Sequence, residues 1–159
     1  MLDLSDIAWT ALENRTGDPS IIRNQLAALY ANPNDIDAIK RITSSVCTTT
    51  QTYNAAYAIA PHFLSLRRNA AWEAKFLLFI AVGKFPLFDQ AKYKSGRLVL
   101  PESPQIADEY NAALDEVANI AGTYLVPEFS AHGTEVSAVF LGSVGQRELG
   151  LAILNLTLP

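Results

Sequence analysis

Apolar residues recur at intervals of three and four along most of the chain, while the Val, Ile and Thr alternation that marks strands is scarce, so the pattern predicts an all-α fold. The clearest start is Asp18-Pro19, an aspartate able to accept from the free N–H groups of a first turn and a proline that needs no partner there. Ile22, Leu26, Leu29 and Tyr30 follow at i, i+4, i+7 and i+8 as one buried stripe, which Asn32-Pro33 ends. A shorter helix is expected before it, Ser5 to Asn14, with Trp9 and Leu12 inward and Gly17 in the turn. Another is expected after it, from about Asn34, with Ile36, Ile39, Ile42 and Val46 inward.

From Thr43 to Thr52 the chain carries eight Ser, Thr or Gln side chains and no charge, which predicts a loop, because such side chains compete for helical backbone bonds. Tyr53 to Leu66 resumes a helix, and Pro61 within it removes one backbone bond and predicts a bend. Trp72, Phe76, Phe79, Ile80 and Gly83 form the next stripe, with Leu77 and Leu78 outside it. A helix apolar nearly all round belongs at the centre. The stretch from Lys84 to Ser103 has no sustained period, and a short helix around Asp89 to Lys94 is expected to relieve it. Ile106, Tyr110, Ala113, Leu114, Val117, Ala121, Tyr124 and Leu125 then give the best amphipathic pattern in the chain. Glu135 to Val144 and Glu148 to Leu156 complete the set, separated at Gly145.

Two of these segments echo earlier ones. Ala60-Pro61-His62-Phe63 returns as Val126-Pro127-Glu128-Phe129, and each is followed by a helix of similar end, Val82-Gly83 and Val144-Gly145. The offsets are unequal, as expected of helical hairpins of similar build with insertions between them. The run Trp9-x-x-Leu12, Gly17-Asp18, Leu26-x-x-Leu29, Tyr53-x-Ala55-Ala56 and Ala60-Pro61-His62-Phe63-Leu64, with Pro101 and Tyr110-x-x-Ala113-Leu114, resembles bacterial HEAT-repeat-like proteins, mostly uncharacterised. The resemblance implies one HEAT-like domain over residues 1–159, an α-α superhelix of about seven helices with a long connector at about 84–104. It also implies binding, as a scaffold or adaptor or as the neutraliser of a partner such as a toxin. Where those proteins often carry a His-Gln-Gly turn ahead of the tyrosine matching Tyr53, this chain has Thr48-Thr49-Thr50-Gln51-Thr52.

Composition narrows the function classes. The chain has 159 residues, one domain's length, and half of them are hydrophobic, enough for a core. A net charge of −4 repels a phosphate backbone, so no nucleic-acid partner is expected. One cysteine, Cys47, forms no internal disulfide, and the acidic start through Asp3 and Asp6 lacks the basic and then apolar order of a secretory signal, which points to the cytoplasm. The most apolar run, Phe76 to Gly83, falls far short of the roughly 20 residues a membrane span needs.

Reactive chemistry finds little support. His62 and His132 lack the Cys or His neighbours a zinc site needs, so neither a metal nor a cofactor is expected. Asn32 to Asp37 lacks the glycine and terminal glutamate of a calcium loop, and Gly142 to Glu148 lacks the lysine and spacing of a phosphate loop. Asp108-Glu109 and Asp115-Glu116 sit on the polar face of a helix, where carboxylates are solvated.

Two features point to binding. Lys84, Lys92, Lys94 and Arg97 face Asp89 alone in their stretch, interleaved with Phe85, Phe88 and Tyr93, and such a loop suits a protein partner with an acidic patch; the plainer reading is a solvated connector. The second is a polar and aromatic belt of Gln51, Tyr53, Asn54, Tyr57, His62, Arg67 and Arg68. Together they predict a non-enzymatic protein-interaction module. A second reading is an enzyme or small-molecule binder in which Tyr53, Tyr57, His62 and Glu73 converge on a pocket beside Pro61. A third is a structural subunit: Leu149, Ile153 and Leu156 on one face and Leu151, Leu154 and Leu158 on another leave the last helix almost no polar side. That helix is expected to be covered by the basic loop or by a second copy in a homodimer.

Overall fold

The computed structural model describes residues 2–89, 93–124 and 131–155. These residues hold seven α-helices: α1 (Pro19–Ala31), α2 (Ile36–Val46), α3 (Ala55–Arg67), α4 (Trp72–Lys84), α5 (Pro104–Ala121), α6 (Gly133–Ser143) and α7 (Arg147–Asn155). Strands β1 (Tyr93–Lys94) and β2 (Arg97–Leu98) form the only sheet among them, so the fold is all-α as expected. The helix starts follow local chemistry. Asp18 Oδ1 accepts from the Ser20 N–H at 3.0 Å ahead of α1, and Asp35 Oδ1 accepts from the Ala38 N–H at 2.8 Å ahead of α2.

Burial sorts the helices. α3 is buried from Ala55 to Leu66 except at Pro61 and Ser65, and α4 is buried from Phe76 to Gly83 except at the half-buried Leu77. They are the centre of the molecule, as an all-round apolar helix requires. α5 presents Ala107, Tyr110, Ala113, Leu114 and Val117 to them. Contacts run between neighbours in the chain, α1 with α2, α3 with α4, α5 with α6 and α6 with α7. They also run between alternate helices, α1 with α3 and α3 with α5, then α2 with α4 and α4 with α6. No helix among the described residues is long and apolar enough to cross a membrane.

Several expectations are corrected. Ser5 to Asn14 holds only a 3-10 turn at Trp9–Ala11, because short polar side chains capture the backbone there: Asp3 Oδ1 accepts from Ser5 N–H and Asn14 Oδ1 from Thr16 N–H. Trp9 is nonetheless buried, and Leu12 is half-buried. α2 extends to Val46, and the polar run after it is pinned rather than loose: Thr52 is buried, its N–H donating to Phe88 O and its hydroxyl to Phe85 O at 2.8 Å. Tyr30 and Trp72, placed inward by periodicity, are 39% and 49% exposed. Val126 to Phe129, Leu125, Leu156 and Leu158 lie outside the described residues.

The short helix expected at Asp89 to Lys94 does not form. A 3-10 turn at Phe85–Leu87 is followed by the hairpin β1–β2, whose turn residues Ser95 and Gly96 have φ of 53° and 78°. Positive φ at both central positions is what a type I′ hairpin turn requires, and glycine supplies one of them without strain. The outer edge of β2 is closed by one side chain: Asn111 Oδ1 accepts from Leu98 N–H and its Nδ2 donates to Leu98 O, both at 3.0 Å.

α4 and α6 meet at small residues. A Cβ on Gly83 would stand 2.5 Å from Val139 Cβ, and one on Gly142 would stand 2.8 Å from Leu87 Cδ2. Replacing Gly83 by alanine is therefore expected to lower the unfolding free energy by about 1–3 kcal/mol in urea titrations. Adding Val139→Ala to it is expected to cost less than the two single changes summed, because the second change opens the space that the first one needs.

Candidate functional site

The centre of the candidate site is a carboxylate from the stretch Asp89 to Lys94, where the sequence predicts a short helix. Asp89 is 3% exposed. Its Oδ1 accepts from the Tyr57 hydroxyl at 2.9 Å and its Oδ2 from the Tyr93 hydroxyl at 2.8 Å, and Tyr93 lies 3.3 Å from the Tyr110 hydroxyl. Each tyrosine comes from a different element, α3, β1 and α5, so the cluster ties the connector to the core. Burial pushes the ionisation of Tyr57, Tyr93 and Tyr110 above the usual phenol range, and the Asp89 charge adds to that push at all three. Phenols held neutral in this way hold and orient; they are poor acids or bases near pH 7.

Beside the cluster lies a cavity of about 310 Å³ lined by Pro86, Asp89, Tyr93, Gly96, Gly142, Gly145 and Arg147. Arg147 opens α7, is half-buried, and donates from Nε to Leu87 O at 2.8 Å. Gly96 and Gly145 close one side: a Cβ on Gly145 would stand 2.9 Å from Gly96 Cα. Gly145 has φ of +80° in the turn between α6 and α7. The connector therefore does fold back on the C-terminal helices, one of the two coverings expected for α7. It leaves Val144 and Leu149 44% and 53% exposed.

The predicted basic loop is partly neutralised within the chain. Lys84 pairs with Glu135, and Arg97 pairs with Asp115 at 2.9 Å. Lys94 is exposed near the hairpin tip, Tyr93 is turned inward to Asp89, and Lys92 lies outside the described residues. The predicted belt is dispersed. Gln51 is exposed and Tyr53 half-buried. Tyr57 belongs to the Asp89 cluster, whereas Asn54 Oδ1 holds the Glu13 N–H. Arg67 donates to the Tyr124 hydroxyl at 3.0 Å, and Arg68 pairs with Glu116 at 3.3 Å. His62 is buried, with Nδ1 2.8 Å from the Tyr30 hydroxyl, while Glu73 is exposed. Tyr57 and His62 thus have separate partners, and the pocket expected beside Pro61 does not gather them. Burial raises the Cys47 thiol's ionisation, which suits a packing role.

Asp89, Tyr110 and Arg147 were not legible as a site, because they are far apart in sequence and share no spacing. One signal was available: Ser95-Gly96 between Tyr-Lys and Arg-Leu is a turn dipeptide flanked by strand-length segments. Among the described residues no group of three or more His, Cys, Asp or Glu could hold a metal ion. No family model matches the chain, and comparison with the curated proteins and with the solved structures returned no match.

Desolvation drives the ionisation of His62 down to about 4, from an ordinary value of 6.5. Between those two pH values the unfolded chain binds a proton at His62 that the folded chain refuses. The contribution is present above pH 6.5 and is lost as pH falls toward 4. Urea midpoints measured at pH 7 and pH 4.5 are expected to fall further for the native chain than for a His62→Gln variant, which carries no titrating group there.

Proposed function

We propose that the chain is a non-enzymatic protein-interaction module of the cytoplasm, built from stacked helical hairpins in the HEAT-like manner. The support for that arrangement is the contact pattern: alternate helices touch in two rows, α1, α3 and α5 in one and α2, α4 and α6 in the other, and chain neighbours join the rows. The observation that carries the functional reading is the approach of Gly96 to Gly145. It brings the hairpin tip, with exposed Lys94, against the turn that displays Val144 and leads into α7, whose first turn displays Leu149. An exposed apolar pair beside a cation is the composition of a recognition surface, with the apolar groups supplying affinity and the charge choosing the partner. The partner it fits presents an acidic group next to an apolar side chain. A second copy of the chain is one such candidate, through α7.

Lys94→Glu and Leu149→Asp alter exposed positions and are expected to leave the melting temperature unchanged. In quantitative affinity capture from source-cell extract, each is expected to deplete a common set of proteins about tenfold relative to the native chain. Capture lists identical to the native chain's contradict the reading. Light scattering behind a sizing column identifies the case of a second copy, as a dimer that Leu149→Asp converts to a monomer.

A further inference from the structure

α2 and α4 pack against each other, and an open groove of about 250 Å³ runs along their seam, from Ile39 to Cys47 on one wall and from Leu77 to Lys84 on the other. Its apolar surface comes from Ile39, Leu77, Ile80 and Ala81. The polar side chains on the walls are already engaged, with one exception. Thr43 donates from its hydroxyl to Ile39 O at 2.8 Å and Ser44 from its own to Arg41 O at 3.0 Å, so both turn back onto their own helix. The Cys47 sulfur lies 3.3 Å from the Thr52 hydroxyl oxygen, and Lys84 pairs with Glu135 of α6. Lys40 is the exception: it lines the groove, is exposed, and has no carboxylate partner among the described residues.

This arrangement selects a chemical class. A sugar or an extended peptide laid along the groove would leave hydroxyls or amides against walls that offer no free donor or acceptor, an unfavourable exchange for water. A hydrocarbon chain loses nothing there and gains by leaving water. One negative end completes the match, beside the Lys40 ammonium, whose methylene stem extends the apolar wall. The helical wall from Lys40 to Cys47 rises about 10 Å, which sets a medium chain length. We propose that the α2–α4 groove binds a medium-chain aliphatic carboxylate, its chain along Ile39, Leu77, Ile80 and Ala81 and its head at Lys40. Lys94, Val144 and Leu149, which carry the protein-interaction reading, do not line this groove, so either proposal can fail alone.

The test is a ¹H–¹⁵N titration of the intact chain at pH 7 with butanoate, hexanoate, octanoate and decanoate, each to about 10 mM, following the amides of Thr43, Leu77 and Ala81. Saturable shifts at these amides are expected, with affinity rising about two- to fourfold for each added methylene. Octylammonium, the same chain with the opposite charge, is expected to bind at least about fivefold more weakly than octanoate. Lys40→Glu, a change at an exposed position, is expected to keep the native spectrum and to weaken octanoate about threefold or more. No saturable shift with decanoate overturns the proposal, and is the result expected of a groove that docks a protein segment instead. Affinity independent of chain length overturns it too, as does octylammonium binding as tightly as octanoate, or a Lys40→Glu variant that binds octanoate as the native chain does.

Discussion

A carboxylate taken out of water must be given donors, and Asp89 has two phenols. Leaving it without them would cost several kcal/mol, so the chain around Asp89 has little freedom. Tyr57 is fixed within α3, so the connector brings Asp89 to its hydroxyl by turning inward, and Tyr93 of the same connector meets the Tyr110 hydroxyl of α5. The consequences follow along the chain. Phe85 and Leu87 are buried in the turn that precedes Asp89. Tyr93 faces the carboxylate instead of solvent, and the hairpin that follows it is clamped to α5 by Asn111 and Asp115. A stretch that looks like a solvated linker becomes a strap across the molecule.

The strap needs space, and glycine provides it. Leu87 lies where side chains at Gly142 and Gly150 would sit, with a hypothetical Cβ at Gly150 only 2.6 Å from Leu87 Cδ2. The Leu87 carbonyl also receives Arg147, so one residue of the strap sets both the depth of α7 and the direction of its first side chain. Close approach at Gly83 and Gly142 lets α4 and α6 carry the strap between them and α7. This is a packing solution bought with conformational freedom in the unfolded chain. A cavity of about 310 Å³ is the space left where strap, hairpin and α7 fail to close.

The helices were legible because their signal is local. Asp18-Pro19, the Ile22 to Leu29 stripe and the α5 pattern state their boundaries within one or two turns, and capping and periodicity decide there. The N-terminal segment misled because Asp3 and Asn14 hydrogen-bond to nearby backbone, an effect that apolar spacing does not register. The site was hidden for a different reason. Whether a given Asp or Arg is solvated or buried is decided by partners scores of residues away, as Tyr57 is for Asp89 and Leu87 for Arg147. Charge counting therefore placed Lys84 and Arg97 on a free basic surface, while the fold had already assigned each of them a carboxylate.

Binding at the surface formed by the hairpin tip and the start of α7 rests on the connector staying docked, and the docking rests on Asp89. The double variant Tyr57→Phe/Tyr93→Phe removes two hydroxyl oxygens without opening a cavity in the apolar core. Its unfolding free energy in urea at pH 7 is the direct measurement. Two hydrogen bonds to a buried charge predict a loss of at least about 3 kcal/mol. A double variant within about 0.5 kcal/mol of the native chain would mean that the tyrosines do not hold this carboxylate, and that the strap is not anchored as described.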